Sequence, residues 1–66
     1  MCLLKAYLEE NNMRRIIASE VLFIYAEDWG FRLKTMDRKE EVTLKNVMIS
    51  RIDALNSTIT FRVVKR

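Results

Sequence analysis

A chain of 66 residues is one small domain, 1–66, and at that length folding hides only about 60 % of the surface the unfolded chain exposes, so its core gives a narrow margin of stability. Half of the residues are hydrophobic, which marks a folder rather than a disordered tail, while one cysteine excludes an intrachain disulfide and the lack of histidine excludes the usual zinc finger. The net charge of +3 is uneven: residues 1–30 hold three basic and five acidic groups, residues 31–66 nine basic and four acidic.

In chain order, "CLLKAYLEE" combines good helix formers with an alternation that puts Cys2, Leu4, Ala6 and Leu8 on one face of an extended segment. Asn11 and Asn12 are a turn signal, so a strand is expected here, with "MRRIIAS" returning as the second arm of a hairpin. "EVLFIYA" (20–26) is rich in branched and aromatic residues on both faces and reads as a central strand. "EDWG" follows, its glycine supplying the backbone freedom of a tight turn into "FRLKTM", where Phe31, Leu33 and Thr35 alternate with Arg32, Lys34 and Met36.

After the charged turn "DRKE", "EVTLKNV" predicts a short strand. The end of the chain predicts a hairpin turning at "ALNS", with Ile59, Phe61 and Val63 on one face and Thr58, Thr60 and Arg62 on the other. Five to seven short antiparallel strands in so small a chain predict an all-β, SH3-like, partly open barrel. The scattered methionines Met1, Met13, Met36 and Met48 are expected to fill the core. The start lacks the pattern of a secretory signal, and no run of about 18 apolar residues offers a membrane span, so a cytoplasmic protein without membrane contact is expected.

Cys2 has an ordinary reading, since an unpaired cysteine behaves as a small buried hydrophobe. Its position adds another. Removal of Met1 would make it an N-terminal cysteine, whose amine and thiol close a five-membered ring around a metal ion once both have lost a proton. Thiolate and amine suit the later divalent ions, towards nickel and copper. One chain offers few further ligands, so a two-fold dimer bringing a second Cys2 would complete the site, and metal and dimer would stabilise each other.

The segments "MCLLKAYL", "SEVLFIYAEDWGFRLKTM" and "ISRIDALNSTITF" resemble the CooT-type small nickel-binding proteins over nearly the whole chain. The functionally specific part of the likeness is the Met-Cys start. The resemblance implies a homodimeric SH3-like barrel that binds nickel(II) through Cys2 and acts as a metallochaperone-like accessory protein, its partners being a nickel enzyme such as carbon monoxide dehydrogenase or the factors that mature it.

Against an enzyme, the chain lacks histidine and a phosphate-binding glycine loop, and Ser19, Ser50 and Ser57 stand in strand-edge or turn contexts. The acidic pairs Glu9–Glu10, Glu27–Asp28 and Glu40–Glu41 sit beside turns, where solvated charge is the expectation. The alternative function is a small RNA-binding barrel using the basic second half, with Arg32 and Lys34 beside Phe31. Phe31 shares a face with Leu33, which points it to the core, and the sequence defines no basic groove between Tyr7, Tyr25 and Trp29.

Overall fold

A computed structural model describes residues 3–37 and 41–64. Six strands follow in order: β1 (Leu4–Glu10), β2 (Met13–Glu27), β3 (Gly30–Thr35), β4 (Glu41–Lys45), β5 (Val47–Asp53) and β6 (Thr58–Val63). They form one sheet in the order β4-β3-β2-β1-β6-β5.

The β1–β2 hairpin turns on Asn11 and Asn12, both at positive φ (53° and 64°), a conformation that asparagine tolerates and that matches the twist of the flanking strands. The two arms expected between residues 13 and 26 are one strand of 15 residues. It pairs with β1 over Met13–Val21 and with β3 over Val21–Glu27. Its change of partner is made at Glu20 (φ 56°), whose carbonyl accepts a hydrogen bond from the Met36 amide at 2.9 Å. A bulge between Val21 and Phe23 accompanies the bend and sharpens the local twist.

Gly30 opens β3, beyond the two-residue turn of Asp28 and Trp29, rather than making the turn itself. Its φ is +150°, and a β-carbon there would run into the carbonyl oxygen of Leu44, so the missing side chain is what lets β4 approach.

The expectation of wholly antiparallel strands is corrected: β1 and β6 are parallel, from Lys5↔Thr58 to Glu9↔Arg62. The cause lies at Asn46, the single residue between β4 and β5. Four antiparallel contacts reverse the chain normally, but one residue does not make a hairpin, and β5 continues in the sense of β4. The missing reversal brings β6 back parallel to β1. Because β4 and β5 are also the two edges of the sheet, the sheet curls until those edges meet at this corner.

Asn46 (φ 57°) pins that meeting. Its amide donates to the Trp29 carbonyl at 3.0 Å and its carbonyl accepts from the Val64 amide at 2.8 Å. No ladder joins β4 to β5, so the molecule is a curled, mixed, six-stranded sheet and not a closed barrel.

The inner face carries the core: Ala6 and Leu8 from β1, Val21 from β2, Leu33 from β3, and Ile59 and Phe61 from β6. The expected alternation holds for β3, where Leu33 and Thr35 are buried while Lys34 is exposed. It fails at two places. Thr60, on the outer face of β6, is buried as well. Leu22, Phe23 and Tyr25 are exposed, so the strand expected to bury both faces buries only one. Met13, Met36 and Met48 are exposed, contrary to the core-filling expectation, because they stand at strand ends or on the outer face, and Met1 lies outside the described residues.

Candidate functional site

Cys2, the expected metal ligand, lies outside the described residues. The residues just after it fix where the chain joins the sheet. Leu4 pairs with Val21 on β2, Lys5 with Thr58 on β6, and the Lys5 amide donates to the Ser57 carbonyl at 3.0 Å. The first strand is thus inserted at the centre of the sheet, beside the β5–β6 turn and the bend of β2. Among the described residues no three His, Cys, Asp or Glu side chains are grouped so as to hold a metal ion.

Four of the described carboxylates have partners of their own. Glu27 and Glu41 both pair with Arg32, at 3.1 and 3.3 Å, and Arg32 is held above its ordinary pKa chiefly by the Glu27 hydrogen bond. Glu9 accepts from the Ser50 hydroxyl at 3.1 Å. Asp53 accepts from the Asn56 side chain at 2.9 Å and from its amide at 3.1 Å, and these bonds lower its pKa. The turn-charge expectation thus gives way to specific partners at Glu9, Glu27 and Glu41. Glu40 lies outside the described residues.

Phe31 packs in the interior against Phe61, as its alternation with Leu33 predicts, which removes it as a base-stacking residue. The sequence did not display a different cluster on the outer face of β2 and β3. Phe23 and Tyr25 stack with centroids 6.1 Å apart, and the Arg32 guanidinium and Lys34 ammonium lie 4.5 and 6.0 Å from the Tyr25 ring centroid. The register Phe23↔Lys34 and Tyr25↔Arg32 creates it, and that pairing was the missing signal.

A second outer-face cluster spans β2, β1, β6 and β5. The Arg14 guanidinium lies 3.9 Å from the Tyr7 ring centroid and donates to the Thr60 hydroxyl at 3.4 Å, covering the buried threonine. Two shallow depressions, of about 210 and 520 Å³, share Glu9 and Arg14; Arg51 lines the first and Arg62 the second. At the end of the sheet a further depression of about 230 Å³ lies between the Asp28–Trp29 turn, Asn46 and Val64.

No helix among the described residues is long and apolar enough to cross a membrane. No family model matches the chain, and no curated protein matches it. Among solved structures it is similar to the crystal structure of the "putative CooT" from Carboxydothermus hydrogenoformans. The TM-score is 0.84 at 12 % sequence identity, over 97 % of this chain and 100 % of that one. The chain therefore has a CooT-like fold, and the likeness seen in its sequence holds at the level of the fold.

Proposed function

We propose that this chain is a nickel(II)-binding accessory protein of the metallochaperone kind, whose Cys2 supplies a thiolate at the seam of a cytoplasmic homodimer. The observation that carries the reading is the CooT-like fold over 97 % of the chain, joined to a cysteine at the second position. Nickel is cargo here, and the role is non-catalytic: the ion is held and passed to a nickel enzyme, of which carbon monoxide dehydrogenase is the type the likeness suggests.

The donor set is consistent with this. The reading assigns the ligands to the chain start, where amine and thiolate would adjoin once Met1 is removed, and the described residues offer no competing group of three His, Cys, Asp or Glu. A two-fold axis there doubles the donors.

The test is a nickel titration followed by thiolate-to-nickel charge-transfer absorption, with the mass of the mature N-terminus and the molar mass in solution recorded on the same sample. The expected result is a dimer lacking Met1 that takes up about half an ion per chain, as one shared two-fold site requires, and a Cys2→Ser variant that takes up none. A monomer, or equal uptake by the two proteins, overturns the reading.

A further inference from the structure

We infer that the outer face of β2, β1, β6 and β5 is a binding surface for the phosphodiester backbone of single-stranded RNA, with Arg14, Arg51 and Arg62 as its phosphate contacts. The register sets Arg14 and Arg62 on either side of Glu9, on the two strands that flank β1. That arrangement offers two ion pairs, yet in the described structure Glu9 makes one with neither Arg14 nor Arg62.

Arg14 turns instead to Tyr7 and Thr60, and Arg62 donates to the sulfur of Met48 at 3.3 Å. Glu9 takes its hydrogen bond from Ser50, and Asp53, further along the face, takes its bonds from Asn56. Both carboxylates are thus hydrogen-bonded to uncharged donors, and Arg51 acts on Asp53 through space only. The bulge between Ile49 and Arg51 brings Ser50 and Arg51 together to the depression that Arg14 and Thr60 also line. Lys5, in register with Thr58, adds a fourth cation.

The chemistry of the occupant follows from charge, donor type and shape. Guanidinium forks that no carboxylate holds by a hydrogen bond favour phosphate oxygens. The arginines are exposed and the depressions open, which suits a surface track rather than an enclosed small-molecule site. From β2 to β5 the track crosses three strand spacings, about 14 Å, more than one phosphate covers and suited to an extended strand. The Tyr25 cluster on β2 and β3 is the weaker candidate for an anion, because Glu27 and Glu41 offset its two cations.

The experiment is fluorescence anisotropy of a labelled single-stranded oligouridine across a salt series, with the wild-type chain, the Arg51→Gln/Arg62→Gln variant, and the triple variant that adds Arg14→Gln. The double variant leaves the Arg14 packing intact, so it stays informative if the triple variant unfolds. Binding is expected to weaken steeply with salt, and the triple variant to lower the log–log slope by about 2, from three phosphate contacts at roughly 0.7 each on a single strand. Lys34→Gln/Lys45→Gln, on β3 and β4, is expected to bind as the wild type does. The proposal is overturned if RNA does not bind, if the double variant binds with unchanged affinity and slope, or if an oligoglutamate peptide competes as well as RNA at equal charge.

Discussion

Phe31 on β3 and Phe61 on β6 meet inside the molecule with ring centroids 5.1 Å apart and planes inclined by 49°, although β2 and β1 separate their strands in the sheet. A flat sheet would hold them about 14 Å apart, three strand spacings. The ring contact is therefore made by the curl, and it helps to maintain it. A chain of this length has a total stability of roughly 3–10 kcal/mol, whereas Phe→Ala in a core costs about 3–5 kcal/mol. Phe61→Ala is expected to leave the chain largely unfolded, and Phe61→Leu to fold with a loss of about 1–2 kcal/mol. Urea denaturation followed by circular dichroism measures both; a cooperative, near-wild-type transition for Phe61→Ala would refute the role given to this pair.

The same curl depends on Asn46, where the two edge strands meet. Its left-handed backbone is open to Asn and Gly and strained for a β-branched residue. Asn46→Gly is expected to lie within about 0.5 kcal/mol of wild type, and Asn46→Val to lose about 1–3 kcal/mol. If valine is tolerated as well as glycine in thermal unfolding, the corner does not hold the backbone described.

Gly30 sets the other constraint on β4. Gly30→Ala would place a methyl group against the Leu44 carbonyl, which is backbone and cannot swing aside, at a φ that L-residues rarely adopt. The loss is expected to reach about 2–4 kcal/mol, above the ordinary cost of a strained residue because the β3–β4 pairing must also shift. Hydrogen exchange should show β4 amides losing protection before those of β1; equal protection in variant and wild type would count against the contact.

Strand positions were legible because alternation is local: Phe31 and Leu33, and Ile59 and Phe61, announce an inner face within a few residues. Three features were not. The parallel pairing of β1 and β6 depends on counting chain reversals, and "LKNVM" looks the same whether Asn46 makes a reversal or a corner. The burial of Thr60 comes from Arg14, 46 positions away in sequence. The exposure of Phe23 and Tyr25 depends on a bulge that turns them outward, and their apolar character alone suggested the reverse. For the proposed metal site the sequence offers Cys2 and a likeness that holds at the level of the fold, while the proposed joining of two chains would be a property of an assembly and not of one chain.

Asp53 gives a pH dependence of definite sign. Its pKa is lowered from 3.8 in the folded chain, mainly by the Asn56 side chain and then by the Asn56 amide. A depressed carboxylate contributes stability that is fully present above its unfolded pKa and is lost as pH falls through the lower folded value. Melting temperature is expected to fall more steeply below pH 3.8 in the wild type than in Asn56→Ala, where Asp53 loses the side-chain hydrogen bond, the largest cause of its depression, and keeps the bond from the backbone amide at position 56. The group is exposed and the difference small. Parallel melting curves for the two proteins between about pH 5 and 2 would remove the Asn56 side-chain bond to Asp53 from the acid response.

Nickel binding through an N-terminal cysteine makes a demand that binding through an internal thiol does not: the amine must adjoin the thiolate, and both must be deprotonated. Uptake is therefore expected to release protons and to tighten as pH rises towards the α-amine and thiol values of about 8 and 8.5. Inserting one alanine between Met1 and Cys2 keeps the thiol and the sheet but moves the free amine one residue away. That variant is expected to bind nickel more weakly than the wild type, without change in thermal stability of the metal-free chain. Cys2→Ser, which keeps the amine and loses the sulfur, should lose binding altogether. Equal nickel affinity in the alanine-insertion variant and the wild type would show that the amine is not a ligand, and would leave Cys2 at most an internal thiolate donor.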